Sequence, residues 1–425
     1  MYVFKFGGAS VKNPSALKNV VQIIRSSENE KKIIIVSAIG NTTNKLEKIF
    51  ECLKTEDDVT FRYLVNELYR FHVSYILELF SKEPFSLLDF MEKIFVQLGE
   101  LIEEKLIPDL EDLIYDKVVS IGELFSSKIL ETYLSEISKN VLWLDTRQLI
   151  LTDSNFKNAQ VDWNSTIHNI SQQIESSIHK VDYYIAPGFI ASNTNGATTT
   201  IGREGSDYTA AIFAHCINAK QVTIWKDVPG MLNADPKWFD ETIKLPHISF
   251  QEAIELAYYG ANVIHPKTIK PLQNKNIPLY VKSFIDPTLE GTIIDTETKD
   301  DTLIPSFIFK MNQLKISITP KDFSFIAEEK LSQIFNSISS VNAHINLMQN
   351  SAISFDFVID NKKGVRELLT KEFEHEYTIS FKDELELVTI RHYDQETIQR
   401  VILDKEIILT QQTKHTTRML MRDLL

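Results

Sequence analysis

The start of this chain restricts its fold more than any other stretch. Tyr2 to Phe6 is a short apolar run of β type, Ser15 to Ile24 carries a helical apolar pattern, and Ile33 to Ser37 is a second β run. Two strands joined through a helix pair in parallel, and a parallel sheet needs cover on both faces. Val118 to Ile121, Val141 to Leu144, Tyr183 to Ala186, Gln221 to Trp225 and Leu279 to Val281 read as further strands, with helices between most of them. These runs predict an α/β fold with a doubly wound sheet extending to about Ser283. Leu46 to Leu113 reads as a mainly helical insert broken at Pro84 and Pro108.

The chain has 425 residues, enough for two or three domains. Its net charge of −13 argues against nucleic acid or an anionic membrane as a partner. Any anion must therefore be met by local cations. Cys52 and Cys216 cannot make a disulfide framework and read as buried thiols, which fits a reducing cytoplasm. The N-terminus reads as a strand rather than a signal peptide, and no apolar run is long enough to span a bilayer.

Two segments carry the chemistry. In the first, Lys5 lies at the end of a strand, Gly7-Gly8-Ala9-Ser10 follows, and a helix begins soon after. Backbone N–H groups and one cation there form a nest for phosphate. This is not a Walker loop, whose lysine follows its glycines; nor does the chain hold a dinucleotide fingerprint or a His-Arg-Asp catalytic loop. The second segment is Thr198-Thr199-Thr200-Ile201-Gly202-Arg203-Glu204-Gly205-Ser206-Asp207, with a helical pattern from Tyr208 to Ile217. An arginine beside a helix N-terminus attracts an anion, and Asp207 adds a negative charge. The ligand is expected to carry both signs, as an amino acid with an extra carboxylate does.

Taken together with other pieces, these segments resemble the aspartate kinases of the amino-acid kinase family. Lys5-Phe6-Gly7-Gly8-Ala9-Ser10-Val11 is similar to the family's opening, and Val36-Ser37-Ala38, Thr43-Asn44, Gly122-Glu123-Leu124 and Gly188-Phe189-Ile190 follow. The Gly202 to Asp207 run, Asp227-Val228-Pro229-Gly230, Asn233-Ala234-Asp235-Pro236 and Gly260-Ala261-Asn262-Val263-Ile264-His265-Pro266 complete the set in family order. The resemblance implies transfer of the ATP γ-phosphoryl group to the side-chain carboxylate of L-aspartate. The products are 4-phospho-L-aspartate and ADP, in the first step of lysine, threonine and methionine biosynthesis. The aspartate carboxylate is already ionised at neutral pH, so no general base is required. Two anions must still be brought together, which calls for cations and N–H donors around the transferred group.

The resemblance assigns roles residue by residue. Lys5 with Gly7, Gly8 and Ser10 would meet phosphate, and Lys5 with Asp207 would form the catalytic pair. Arg203 would clamp a carboxylate bidentately. Glu123, expected at the start of a helix running to Leu134, would meet the substrate ammonium; by itself it also reads as a first-turn glutamate. Asp207 would hold the ammonium or orient Lys5, and also reads as a helix cap. Ser37, Thr43, Phe189 and Ser206 would line the aspartate site, although Ser37 and Thr43 also read as strand-end and cap residues. Lys226, Asp227, Asp235 and Lys237 would face the nucleotide. Magnesium is implied through the ATP phosphates and water, with no protein ligand named. Relatives carry Thr at Lys226 and Lys at Asn262, so a phosphate contact at Asn262 is in doubt.

Residues 286–303 read as a linker between a catalytic domain at 1–285 and a regulatory region at 304–425. Alternating strand and helix patterns in that region resemble tandem ACT-type, ferredoxin-like α+β modules, the second of them short enough to share strands with the first. The modules imply an amino-acid effector, threonine or lysine, and a homodimer or higher homo-oligomer. Asn346 falls where lysine-sensitive relatives carry an acidic residue, which favours threonine. Two other readings remain: a kinase for another amino acid, and an inactive kinase fold that senses amino acids. The length leaves no room for a fused homoserine dehydrogenase.

Overall fold

The computed structural model describes residues 1–26, 30–103, 106–261 and 264–424. The chain divides into two compact units: 1–231 with 244–254 and 263–300, and 232–243 with 255–262 and 301–425. The first is built on an eight-stranded sheet. In spatial order its strands are Val141–Trp143, Tyr183–Pro187, Lys32–Val36, Tyr2–Phe6, Gln221–Lys226, Leu279–Ser283, Thr292–Asp295 and His247–Ser249. All neighbours are parallel except Leu279–Ser283 with Thr292–Asp295. The strand Thr292–Asp295 lies inside the stretch expected as a linker, which therefore completes the first unit.

Strand parity decides which side chains reach which face. Phe4 and Phe6 enter an apolar cluster with Val118, Phe125, Ile129 and Leu130 of the helix Glu111–Ile137. Val3 and Lys5 point the other way, toward the face covered by the helix Gly205–Cys216. The helices Thr42–Lys54, Asp58–Leu79 and Phe85–Glu100 make up the expected insert and pack into the first cluster.

Val118 to Ile121 is helical, against the expected strand. Its β-branched residues lie inside a 27-residue helix, where burial of nearly every face outweighs their weak β preference. Glu123 is accordingly in mid-helix rather than at a helix start. Cys216 is buried, and burial pushes its thiol pKa up to about 12; Cys52 is only half-buried. Among the described residues no helix is long and apolar enough to cross a membrane.

The second unit holds a six-stranded antiparallel sheet, in the order Ile345–Asn350, Phe355–Asp360, Ser306–Pro320, Tyr377–Arg391, Thr416–Asp423 and Lys405–Gln412. The two central strands are 15 residues each. Their pairing register shifts between Lys310 and Gln313, where Asn312 takes a φ of 52°. Before the shift Ser306–Lys310 pairs with Leu387–Arg391; after it, residues 313–320 stay paired with that strand and residues 313–318 pair with Phe355–Asp360 as well. Separate apolar cores flank the shift. One strand thus serves both expected modules, which is how the short second module obtains its missing edge.

Candidate functional site

Four adjacent strands of the first sheet, Tyr183–Pro187, Lys32–Val36, Tyr2–Phe6 and Gln221–Lys226, end on one edge. Open α/β sheets bind ligands outside such carboxyl ends. The loops there deliver Gly188 and Phe189, Ser37 and Ala38, Gly7 and Gly8, and Asp227. The N-terminus of the helix Gly205–Cys216 enters the same place from the face that carries Lys5.

Lys5 Nζ lies 2.6 Å from Asp207 Oδ1, and both side chains are largely buried. Asp207 is in the first helical turn, while Glu204 takes the N-cap position in the left-handed region at φ 55°. The expected capping role of Asp207 is therefore displaced by the ion pair, although a negative charge in the first turn still suits the helix dipole. Lys5 Nζ stands 3.6 Å from where a Cβ on Gly7 would lie, so the ammonium sits above bare backbone. A Cβ on Gly8 would meet the carbonyl oxygens of Ala38 and Gly40 at 2.7 and 2.8 Å, which explains a glycine at that close approach. Ser10 differs from expectation: it is fully buried, and its hydroxyl donates to the Gly7 carbonyl at 2.6 Å. Its proton is spent on locking the turn instead of meeting phosphate.

Glu123 is buried beside that pair: it accepts from Ser206 Oγ at 2.9 and 3.1 Å, and Ser206 precedes Asp207 in the chain. Burial raises the Glu123 carboxyl to about 7; the Ser206 hydroxyl, the Lys5 charge and the backbone N–H groups of Ala38 and Gly188 oppose that rise. Gly122 packs so tightly that a Cβ would lie 2.9 Å from Ala38 Cβ and 3.0 Å from Thr42 Cγ2. Ser37 and Thr43 are half-buried at the same edge.

Phe189 has a φ of 65°, a strained value for a bulky residue. The surroundings hold it there. Its N–H donates to Thr209 Oγ1 at 2.9 Å, its carbonyl accepts from Ile201 N at 3.1 Å, and its ring lies against Gly205. A three-stranded sheet of Leu151–Thr152, Ile190–Asn193 and Thr198–Thr200 brings this turn beside the Gly202 to Asp207 run. Arg203 at its tip is exposed.

Lys5, Asp207, Glu123, Ser206, Gly7, Gly8 and Phe189 thus converge. Lys226 is half-buried and Asp227 exposed at the end of their strand. Asp235 and Lys237 belong to the segment 232–243, which packs with the second unit. There Asp235 Oδ1 accepts from Lys237 N at 2.9 Å, and the Lys237 ammonium lies 4.9 Å from the Trp238 ring centroid. Asn262 is outside the described residues. Sequence reasoning missed Asp116, Asn158 and Thr209, which hold the site's loops. The available signal for Asp116 was an acidic residue seven positions before Glu123, two turns along one helix face.

The chain is similar to known proteins over most of its length. Residues 1–283 match the family model described as the Amino acid kinase family. Lysine-sensitive aspartokinase 3 of Escherichia coli is 30% identical over 358 residues, spanning 84% of this chain and 78% of that protein. Aspartokinase 1, chloroplastic, of Arabidopsis thaliana is 30% identical over 388 residues, covering 88% of this chain but only 66% of its own length. The chain spans 42% of a bifunctional aspartokinase/homoserine dehydrogenase from the same plant. The solved structure of E. coli aspartokinase III in complex with lysine and aspartate superimposes with a TM-score of 0.81 at 25% identity, over 99% of this chain and 95% of that one.

Proposed function

This chain belongs to the amino acid kinase family, and within it we propose an aspartate kinase, which phosphorylates the side-chain carboxylate of L-aspartate with ATP. One observation carries the reading: the buried Lys5–Asp207 pair adjoins the Glu123–Ser206 pair, with Arg203 exposed on the same segment. A ligand with one ammonium and two carboxylates answers that pattern of charge. Glu123 receives the ammonium, Arg203 grips one carboxylate as a bidentate fork, and the second carboxylate is left facing Lys5. A carboxylate oxygen then attacks the γ-phosphorus. The bond to the bridging oxygen breaks, and ADP leaves with its electron pair.

In this reading Asp207 acts on Lys5. It fixes the ammonium over Gly7, where negative charge gathers on the transferred group, so no reorganisation is needed during reaction. The bare backbone beneath Lys5 suits a phosphate, and the edge with half-buried Lys226 and exposed Asp227 suits the nucleotide. Magnesium would be held by ATP phosphates and water, where it would offset phosphate charge. Ser37, Thr43 and Phe189 shape the aspartate pocket.

The second unit is proposed to take an amino-acid effector; the E. coli relative is named lysine-sensitive, and the E. coli structure is a complex with lysine and aspartate. A coupled assay of ADP release with aspartate, glutamate or no acceptor tests the catalytic reading. Hydroxylamine should trap the product as an aspartyl hydroxamate. ADP release that ignores aspartate, or prefers glutamate, would overturn it.

A further inference from the structure

Asp116 is fully buried on the helix Glu111–Ile137, on the same face as Glu123. It accepts from the backbone N–H of Lys157 at 3.1 and 3.0 Å, from Thr200 N at 2.8 Å, and from Thr200 Oγ1 at 2.7 Å. These donors are all neutral, while the Lys157 ammonium pairs with Asp112. Burial raises the Asp116 carboxyl, and the donated hydrogen bonds oppose that rise. A carboxylate buried without a cation is costly to keep for packing alone.

Its partners locate its effect. Thr200 ends the strand Thr198–Thr200, three residues before Arg203. The Thr200 carbonyl accepts from Ala159 N at 2.9 Å, and Asn158 Oδ1 stands 2.7 Å from where a Cβ on Gly202 would lie. Lys267 Nζ donates to that same Asn158 oxygen at 2.5 Å. At the far end of the segment, Ser206 Oγ is held by Glu123. Between these ends Gly202 and Glu204 both take left-handed backbone, at φ 85° and 55°. The tip is a turn, closed by Gly205 N donating to the Gly202 carbonyl at 3.1 Å and held by His265 N donating to Glu204 Oε2 at 2.9 Å, so its direction follows where its two ends are fixed.

We propose that Asp116 is a positioning residue for substrate: together with Glu123 it anchors both ends of the 200–206 segment on one helix face and so aims Arg203 at the substrate carboxylate. The inference rests on the aspartate kinase reading. Only a carboxylate offers two oxygens that both accept. An amide in its place turns an NH2 toward donors and leaves an N–H or hydroxyl unpaired.

The test is a kinetic comparison of parent, Asp116→Asn, Thr200→Val and Thr200→Ser, each with its Tm measured. Asp116→Asn should raise the KM for aspartate about tenfold or more, with kcat and the KM for ATP within about twofold of the parent. Thr200→Val should shift the same constant less, and Thr200→Ser, which keeps the hydroxyl, should restore it. If Asp116→Asn fails to fold, the two Thr200 variants decide. Parent kinetics in Thr200→Val, or equal losses in all three constants, would overturn the inference. A parent enzyme without aspartate-dependent turnover would instead refute the functional reading.

Discussion

Glu123 illustrates the tension between binding and stability at one residue. Its carboxyl is raised from an ordinary 4.5 to about 7 by burial. As pH falls through that value the group takes up a proton and no longer pairs with an ammonium. The KM for aspartate should therefore rise below about pH 7, with kcat changing less; a KM flat from pH 8 to 6 would contradict this. The same shift enters stability. Between about 4.5 and 7 the native state keeps a proton that the unfolded state has released, so stability falls as pH rises through that window. Glu123→Gln should flatten this slope in denaturant titrations at several pH values, while raising the KM for aspartate at pH 8. At Lys5, charge and placement can be separated. Lys5→Ala would strand the buried Asp207 and destabilise by about 3 kcal/mol. Lys5→Arg keeps the charge and the pairing but moves the donor. It should lower kcat about 100-fold with a Tm close to the parent's; a kcat near the parent's would remove Lys5 from the reacting centre.

At the scale of elements, the site depends on how closely one loop approaches one helix. A Cβ on Gly188 would stand 2.5 Å from Ser206 Cβ and 2.8 Å from Ser206 Cα. Backbone cannot yield there as a flexible side chain would, so Gly188→Ala must push the N-terminus of the helix Gly205–Cys216 away from the sheet. The expected outcome is a stability loss of about 1–3 kcal/mol and at least a tenfold loss of kcat/KM for aspartate, since misplacement alone is that costly. Gly196→Ala is the natural control. Gly196 has a φ of 79° but open space around it. That substitution carries only left-handed strain, about 1 kcal/mol, and should leave the kinetics unchanged. Similar kinetics for both variants would show that close approach at Gly188 does not govern the site.

At the scale of the whole molecule, the second unit bears on control. Asn346 is buried at the strand expected to meet an effector. Its side-chain oxygen already accepts from Lys310 Nζ at 2.7 Å, and its amide donates to Gln313 Oε1 and Asp360 Oδ1 at 2.8 and 2.9 Å. Arg418 donates to its carbonyl and stacks 5.0 Å from the Tyr259 ring centroid. The chain's own ammonium thus holds the place where an acidic residue would recruit one from solution. A second ammonium there meets the like charges of Lys310 and Arg418, and the carboxylate at hand, Asp360, already faces Lys310. Lysine should accordingly inhibit weakly or not at all, with threonine the effective ligand. Separate titrations against the kinase assay check this, and strong inhibition by sub-millimolar lysine alone would contradict it.

The sequence by itself determined the parallel sheet, because a βαβ pattern allows only that pairing, and it determined the chemical types at the site. Lys5 beside Gly7-Gly8, Glu123, and Arg203 to Asp207 were all legible, since strand ends, glycines and helix starts leave local marks. Tertiary structure decided what local pattern cannot encode. It turned Val118 to Ile121 from strand to helix, because burial on nearly all faces overrides the preference of two valines. It took the hydroxyl of Ser10 for a turn and placed Asp235 and Lys237 with the second unit. It also fixed the partners of Asp207 and Asp116, since a lone carboxylate in a sequence carries no sign of which distant donor it will meet. Such pairings join residues about 40 to 200 positions apart, and only the tertiary fold brings them within hydrogen-bonding distance.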